Sequence, residues 1–250
     1  PLSPHPHDVD VKALTRVAFR DVSFHDWFNP YVAYAFQEEV INGFGDWTFH
    51  PSDSATRAEV LRMAYAAAAE GITIQDPPQS GFADVPPSHW SFLLVADAAS
   101  KHFIEGEPCP FRSTAPCFFP DRPVSRAEAL KMLSSLFGVN PSPSSIARVM
   151  NVPASEQLTF PDVWPDDWFE PYVRWMANSQ LGAGRLPSGI ESGQRLIRGY
   201  PDGFFRPNSL VNRAEMAKIV VNTMLYCRTG PSLQNCNTNA RADGLLEAKV

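Results

Sequence analysis

The chain repeats one four-residue phrase three times, as Thr56-Arg57-Ala58-Glu59, Ser125-Arg126-Ala127-Glu128 and Asn212-Arg213-Ala214-Glu215. Each copy follows a Phe-x-Pro whose proline lies six residues before the arginine. An internal repeat of this regularity indicates an architecture of tandem units, each a single supersecondary element. The units take up nearly the whole chain, which argues against an enzyme.

The upstream half of each unit is equally regular. A Phe-x-Asp-Val opening is followed, six residues after its aspartate, by a tryptophan, and a glycine comes sixteen residues later. On this alignment the length varies only between the glycine and the Phe-x-Pro, so we expect a surface loop there in every unit. The repeated residues are Asp21, Asp84 and Asp162, Trp27, Trp90 and Trp168, and Gly43, Gly106 and Gly184.

Each unit is predicted to be a helix, a loop and a second helix. The first helix begins near the tryptophan, with Pro30 or Pro171 in its first turn, and we expect it to end at the glycine in a left-handed stop. The second helix begins at the repeated phrase, whose first and fourth residues form a capping box. The capping residues are Thr56, Glu59, Ser125, Glu128, Asn212 and Glu215.

Apolar residues at helical spacing follow each capping box, and an alanine comes first in all three copies, which allows close helix approach. This pattern predicts an all-α fold in which three helices form a central bundle and the long loops point outward. We divide the chain into an N-terminal arm (1–18), three repeats (19–81, 82–159 and 160–227) and a tail (228–250). The second repeat carries a cysteine-bearing insertion and a Pro/Ser linker at 141–145, and the third carries a long insertion at 185–204.

The bulk properties exclude some classes of partner. A net charge of −6 and a pI near 5.5 disfavour a sequence-blind nucleic-acid binder, which needs a broad basic surface. No apolar run reaches the ~18 residues of a transmembrane helix. No metal, cofactor or catalytic motif is recognisable in the sequence.

The four cysteines form two close pairs, Cys109 with Cys117 and Cys227 with Cys236. Local pairing is the easiest of the three possible connectivities, and no histidine lies beside either pair to complete a zinc site. We therefore expect disulfides and an extracellular address rather than free thiols in a cytosolic protein.

The repeated arginines Arg57, Arg126 and Arg213 fall at the first helical position, where a cation opposes the helix dipole. Each should therefore have a compensating partner. The partner is either internal, namely the repeated aspartates Asp21, Asp84 and Asp162, or external, namely a carboxylate or pyruvyl group of a ligand. Both alternatives stay open on the sequence alone.

Two sets of aromatic residues recur. The repeated tryptophans could stack on sugar rings, although a tryptophan at a repeated position is more often part of a core, which is what we expect here. The phenylalanines of the Phe-x-Pro are expected to be core residues that hold the loop against the bundle. They are Phe49, Phe118 and Phe205.

The combined pattern, from Phe-x-Asp-Val through the tryptophan, glycine and Phe-x-Pro to Thr-Arg-Ala-Glu, resembles the S-layer homology repeat. The resemblance covers about residues 19 to 226 in three copies. It implies a pseudo-threefold, spindle-like domain outside a bacterial cell that grips anionic secondary cell-wall polysaccharide, often pyruvylated in that family, without a covalent bond. The grooves between repeats are the family's ligand sites, and the arginine of the phrase is the residue most associated with them.

A rival hypothesis is a self-assembling subunit of an S-layer or filament, in which the N-terminal arm and the loops contact neighbouring subunits. Aromatic residues of the disulfide-tied insertion favour it, because they offer anchors for an interface. They are Phe111, Phe118 and Phe119. A wall-acting enzyme would need a catalytic domain that these residues do not contain.

Overall fold

The structure is a computed structural model that describes residues 19–68, 80–110, 113–138, 150, 152–229 and 236. The predicted N-terminal arm, the Pro/Ser linker and almost all of the predicted tail lie outside the described residues.

The described residues form α-helices joined by long irregular segments, with isolated β-bridges between them, so the predicted all-α class is confirmed. No helix among them is long and apolar enough to cross a membrane. The helices are α1 (Asn29–Gln37), α2 (Arg57–Ala68), α3 (Phe92–Ser100), α4 (Arg126–Leu136), α5 (Glu170–Ala177) and α6 (Arg213–Thr229), and a 3-10 turn spans Ala154–Glu156.

Local sequence signals explain where these helices begin. A proline lies in the first turn of both α1 and α5, where its missing N–H leaves no hydrogen bond unmade. At the start of α4, the Ser125 hydroxyl accepts from the Glu128 N–H (3.3 Å), and the Glu128 carboxylate accepts from the Ser125 N–H (2.8 Å). The same reciprocal pair caps α2 through Thr56 and Glu59, and α6 through Asn212 and Glu215.

The helix ends differ from the prediction of a left-handed glycine. Helices α1 and α3 end six residues before the repeated glycine, and their chain reversals use Glu39 (φ 60°) and His102 (φ 58°) instead. Gly43 and Gly106 do not have positive φ; a Cβ at either position would overlap a phenylalanine ring at the opening of the same unit. The repeated glycine therefore permits close packing of a ring on the backbone.

In the third unit this packing role belongs to Gly199 and not to Gly184. A Cβ on Gly199 would lie 2.6 Å from Cε1 of Phe160, whereas Gly184 faces Thr229 at the end of α6. Gly199 precedes its Phe-x-Pro by six residues, the same count as in the first unit. The sequence alignment of the third unit was therefore wrong, and its insertion lies before the glycine.

The third insertion is also not a surface loop. Its Ile190, Leu196 and Ile197 are buried, and the Asn222 side chain of α6 donates to the Leu196 carbonyl at 3.1 Å. The Gln194 amide of the insertion donates to the Tyr31 hydroxyl of α1 at 2.5 Å. The insertion thus extends the core where the third unit meets the first.

Three backbone hydrogen bonds link the segments that precede the second helices into a closed ring. Val124 N–H donates to Ala55 (3.0 Å), Val211 N–H donates to Val124 (3.1 Å), and Ala55 N–H donates to Val211 (2.9 Å). Behind the ring, α2 packs against both α4 and α6. The ring relates the three units by a pseudo-threefold arrangement at this end of the helices, whereas the spindle outline stays a prediction.

Candidate functional site

Each repeated arginine reaches the Phe-x-Pro turn of a neighbouring unit. Arg57 Nε donates to the Phe118 carbonyl at 2.8 Å, and the Arg57 guanidinium lies 4.8 Å from the centre of the Phe118 ring. Such a guanidinium over a ring is a cation–π contact. The other two arginines make both contacts in the same cyclic order, Arg126 with Phe205 and Arg213 with Phe49.

Each arginine also faces the capping glutamate of that neighbouring unit. The charged atoms lie 3.6 Å apart for Arg57 and Glu128 and 3.5 Å apart for Arg126 and Glu215, and Arg213 hydrogen-bonds Glu59 directly. Burial lowers the pKa of Arg57 and Arg213, and the nearby carboxylates oppose that shift. The partner that offsets the helix dipole is therefore internal, and it is a glutamate.

The predicted alternative of pairing between the arginines and the repeated aspartates is wrong. The Asp84 carboxylate accepts from the backbone N–H groups of Phe118 (2.8 Å) and Phe119 (2.6 Å). Asp21 and Asp162 hold the other two turns in the same way. Each aspartate binds the N–H groups of a turn in its own unit. The carbonyl of the same turn accepts a hydrogen bond from the arginine of another unit, so the aspartate and the arginine bind one turn without forming an ion pair with each other.

The repeated tryptophans are exposed, so the expectation that they belong to the core is wrong. Trp27, Trp90 and Trp168 are 55%, 57% and 54% exposed. In the first and third units the next residue, Phe28 or Phe169, packs into the core and meets the indole edge to face. The Phe49, Phe118 and Phe205 side chains are fully buried, as the sequence predicts.

Three cavities lie between units, and each is lined by one repeated arginine, one capping glutamate and one repeated tryptophan. We name each groove by its arginine. The Arg213 groove has a volume of about 420 Å³ and includes Glu59 and Trp90. The Arg57 groove has a volume of about 200 Å³ and includes Glu128 and Trp168. The Arg126 groove has a volume of about 160 Å³ and includes Glu215 and Trp27. Gly43, Gly106 and Gly199 also line them in turn, whereas Gly184 lines none.

Sequence reasoning missed a second cation in every groove, five residues after the repeated arginine. The signal was present, because the phrase extends in all three copies to Arg-Ala-Glu-x-x followed by arginine or lysine. These residues are Arg62, Lys131 and Lys218. The Lys131 and Lys218 amines lie 5.9 Å and 5.6 Å from the ring centres of Trp168 and Trp27, so a cation and an exposed indole stand side by side.

Both predicted disulfides form, with Cα–Cα distances of 5.1 Å for Cys109–Cys117 and 5.6 Å for Cys227–Cys236. The first closes the insertion beside the Arg57 groove. Phe118 of this insertion is buried, so the expectation that it anchors a neighbouring subunit is wrong, and Phe111 lies outside the described residues.

A family model described as the S-layer homology domain matches residues 18–61 and 193–217. Over these two regions the chain is similar to the S-layer homology domain. The first matched region contains Trp27, Gly43 and Arg57, and the second contains Gly199 and Arg213, which supports the corrected alignment of the third unit. The expected location at the cell surface is confirmed by this finding.

Two curated proteins of Acetivibrio thermocellus are similar to the chain. Cell surface glycoprotein 1 is 25% identical over 188 residues, which cover 72% of this chain and 7% of that protein. Cellulosome-anchoring protein is 22% identical over 141 residues, which cover 56% of this chain and 30% of that protein. The chain thus spans less than a third of either relative's length.

Proposed function

We propose that this chain is an S-layer homology domain that binds anionic secondary cell-wall polysaccharide non-covalently through its inter-unit grooves, and so anchors or builds a surface layer without enzymatic activity. The observation that carries the proposal is the threefold recurrence of one groove, with a buried arginine, a second cation and an exposed tryptophan. We also propose that the middle unit is a third S-layer homology repeat, because it has the same capping box and the same aspartate-held turn.

Within a groove the buried arginine contributes positive electrostatic potential and holds the groove wall in place, and it is too buried to be the main ligand contact. Only 5–6% of each repeated arginine is exposed, and its donors are directed at protein carbonyls. Direct contact with a ligand carboxylate or pyruvyl group falls to the second cation, while the indole can stack on the apolar face of a sugar ring. The repeated aspartates and glycines keep the turn in place behind the ligand.

The anchor reading draws support from the relatives. One of the two is named a cellulosome-anchoring protein, and the segment that aligns with this chain makes up 30% of its length. An anchoring role for this chain agrees with that name.

Co-sedimentation with purified cell-wall sacculi tests the proposal. Replacing Trp27, Trp90 and Trp168 by alanine should release the protein from sacculi without unfolding it, because these side chains are more than half exposed. The matched control is Trp164→Ala, which removes an even more exposed indole (67%) that lines none of the three grooves.

We expect wild type and Trp164→Ala to co-pellet with intact sacculi and not with sacculi stripped of secondary polymer. The triple variant should lose at least about tenfold in affinity, the equivalent of about 1.4 kcal/mol. Groove binding would be refuted if wild type pelleted equally with intact and stripped sacculi, or if the triple variant pelleted like the control.

A self-assembling subunit remains the second candidate. Large aromatic side chains are exposed outside the grooves, including Phe24 (70%), Trp47 (59%) and Trp164 (67%), and exposed aromatic residues are typical anchors of interfaces. Concentration-dependent pelleting without any wall, abolished by Phe24→Ser with Trp47→Ser, would support this candidate.

A further inference from the structure

We infer that the three grooves are not equivalent, and that the Arg126 groove takes the anionic sugar whereas the Arg57 groove is closed to anions by carboxylates of its own chain. This inference rests on the proposed polysaccharide binding and assigns it to one site. It follows from charge differences at positions that the pseudo-threefold arrangement makes equivalent.

The decisive position is the residue directly before the groove glycine. It is neutral Asn42 in the Arg213 groove, acidic Glu105 in the Arg57 groove and basic Arg198 in the Arg126 groove. The residue directly after the glycine is acidic in the Arg57 groove and an uncharged aromatic residue in the other two. It is Phe44, Glu107 and Tyr200 in the Arg213, Arg57 and Arg126 grooves, respectively.

In the Arg57 groove both lining cations are already paired. The Lys131 amine lies 2.8 Å from the Glu105 carboxylate, and Arg57 lies 3.7 Å from Glu107 and 3.6 Å from Glu128. The hydrogen bond from Lys131 holds the pKa of Glu105 below its usual range, so this carboxylate stays ionised at neutral pH. Two of these three carboxylates, Glu107 and Glu128, also hold Arg122 at 2.7 Å, so each cation around this groove already has a carboxylate partner that an anionic ligand would have to displace.

The Arg126 groove has the opposite balance, with three cations and one carboxylate. Its Glu215 is engaged by Arg126 at 3.5 Å and by the Tyr200 hydroxyl at 3.2 Å. Within the part of the chain that the structure describes, no carboxylate lies within ion-pair distance of Arg198 or Lys218. These two cations therefore stand beside an exposed indole without an ion-pair partner among the described residues.

The electrostatics of Lys218 agree with this geometry. Burial lowers its pKa, and repulsion from Arg198 and Arg126 lowers it further against the opposing Glu215. A ligand carboxylate between these cations would relieve the repulsion, which is a favourable contribution that the Arg57 groove cannot offer.

The Arg213 groove is intermediate. Arg213 and Arg62 face the single carboxylate Glu59, and Asn42 beside the Arg62 guanidinium adds no charge. The order of affinity for an anionic sugar should therefore be the Arg126 groove first, the Arg213 groove second and the Arg57 groove last.

Charge reversal at the decisive position in two grooves, and at the second cation in the third, tests this order in the full chain. Arg198→Glu removes the cation from the preferred groove, Arg62→Glu does so in the intermediate one, and Arg185→Glu makes the same charge change at an exposed site outside the grooves. Glu105→Arg, at a largely exposed carboxylate, frees Lys131 and gives the Arg57 groove the cation that the Arg126 groove has. The probe is a monosaccharide bearing a pyruvyl ketal, titrated calorimetrically, with the same sugar lacking the ketal as the neutral control.

We expect Arg198→Glu to weaken the strongest binding event at least about tenfold, Arg185→Glu to stay within about twofold of wild type, and Glu105→Arg to add a further binding event. Unchanged probe affinity in Arg198→Glu, or loss of the strongest event in Arg62→Glu instead, would overturn the inference. If Arg198→Glu binds the probe as wild type does and still co-pellets with sacculi, the inference about the grooves fails while the proposed function stands. Wild type that binds neither the probe nor sacculi would overturn both.

Discussion

Replacement of Arg126 by alanine tests whether the repeated arginine is first a structural residue. Its guanidinium donates to the carbonyls of Phe205 (3.1 Å) and Arg198 (3.3 Å) and faces Glu215 at 3.5 Å, with the side chain only 7% exposed. Hydrogen bonds from a charged group are worth about 1.5–3 kcal/mol each, and breaking a buried ion pair by removing one partner costs about 3–5 kcal/mol. Because one group makes all these contacts, the terms overlap, and we expect a total loss of about 3–5 kcal/mol.

Urea unfolding, followed by helical circular dichroism and by tryptophan fluorescence, measures this loss. With a slope of about 2 kcal/mol per molar urea, the midpoint should fall by roughly 1.5–2.5 M. Arg126→Lys should recover less than half, because an amine cannot make the planar set of contacts of a guanidinium. The control is Lys218→Ala in the same groove, which should change the free energy of unfolding by under about 1 kcal/mol because no ion pair of the described residues holds that amine.

The result that would refute the reasoning is specific. If Arg126→Ala unfolds within about 1 kcal/mol of wild type but no longer binds the wall, then the arginine is primarily a ligand residue. The contacts with Phe205 and Glu215 would then be incidental to stability.

Three further predictions concern packing, charge and covalent links. Gly199→Ala should lower the free energy of unfolding by about 1–3 kcal/mol, because its Cβ would meet a phenylalanine ring, whereas Gly45→Ala, with open space around it, should stay within about 0.5 kcal/mol in the same urea assay. Burial raises the pKa of Glu128, but hydrogen bonds from Arg122 and Ser125 outweigh it and leave the pKa below 4.5. The stability that this carboxylate contributes should therefore be present above about pH 4.5 and lost as the pH falls below it, and Arg122→Ala should flatten that part of a stability-versus-pH curve. Replacing both members of the Cys109–Cys117 disulfide by serine should lower the free energy of unfolding by about 2.5 kcal/mol, the loop-closure term for so short a loop, and an unchanged urea midpoint would contradict this.

The sequence predicted well what local chemistry decides. A capping box needs only a residue and its neighbour three positions on, so Ser125 with Glu128, and its counterparts in the other units, could be read directly. The burial of the Phe-x-Pro phenylalanines could be predicted because a large apolar side chain recurs at a fixed distance before the start of each second helix. Local disulfide pairing followed from short spacings.

The sequence failed where the role of a residue depends on which part of the packed structure it reaches. Asp84 and Arg57 both act on the turn at Phe118, and nothing in their spacing shows that one holds its N–H groups while the other donates to its carbonyl. Gly184 and Gly199 both fit a glycine-to-loop pattern, and only packing on a phenylalanine ring decides between them. Counting six residues backward from the Phe-x-Pro, as in the first unit, selects Gly199, although the second unit has twelve residues in this interval.

The composition of the grooves explains why the units come in threes. In the Arg126 groove the arginine comes from the second unit, the glutamate and glycine turn from the third, and Trp27 from the first. The other two grooves rotate the same assignment, so every groove needs all three units. The contacts that build a groove are also those that close the ring, because each arginine holds the next unit's turn. A single unit or a pair therefore contains no complete groove, and three is the smallest number of units that gives any groove of this kind.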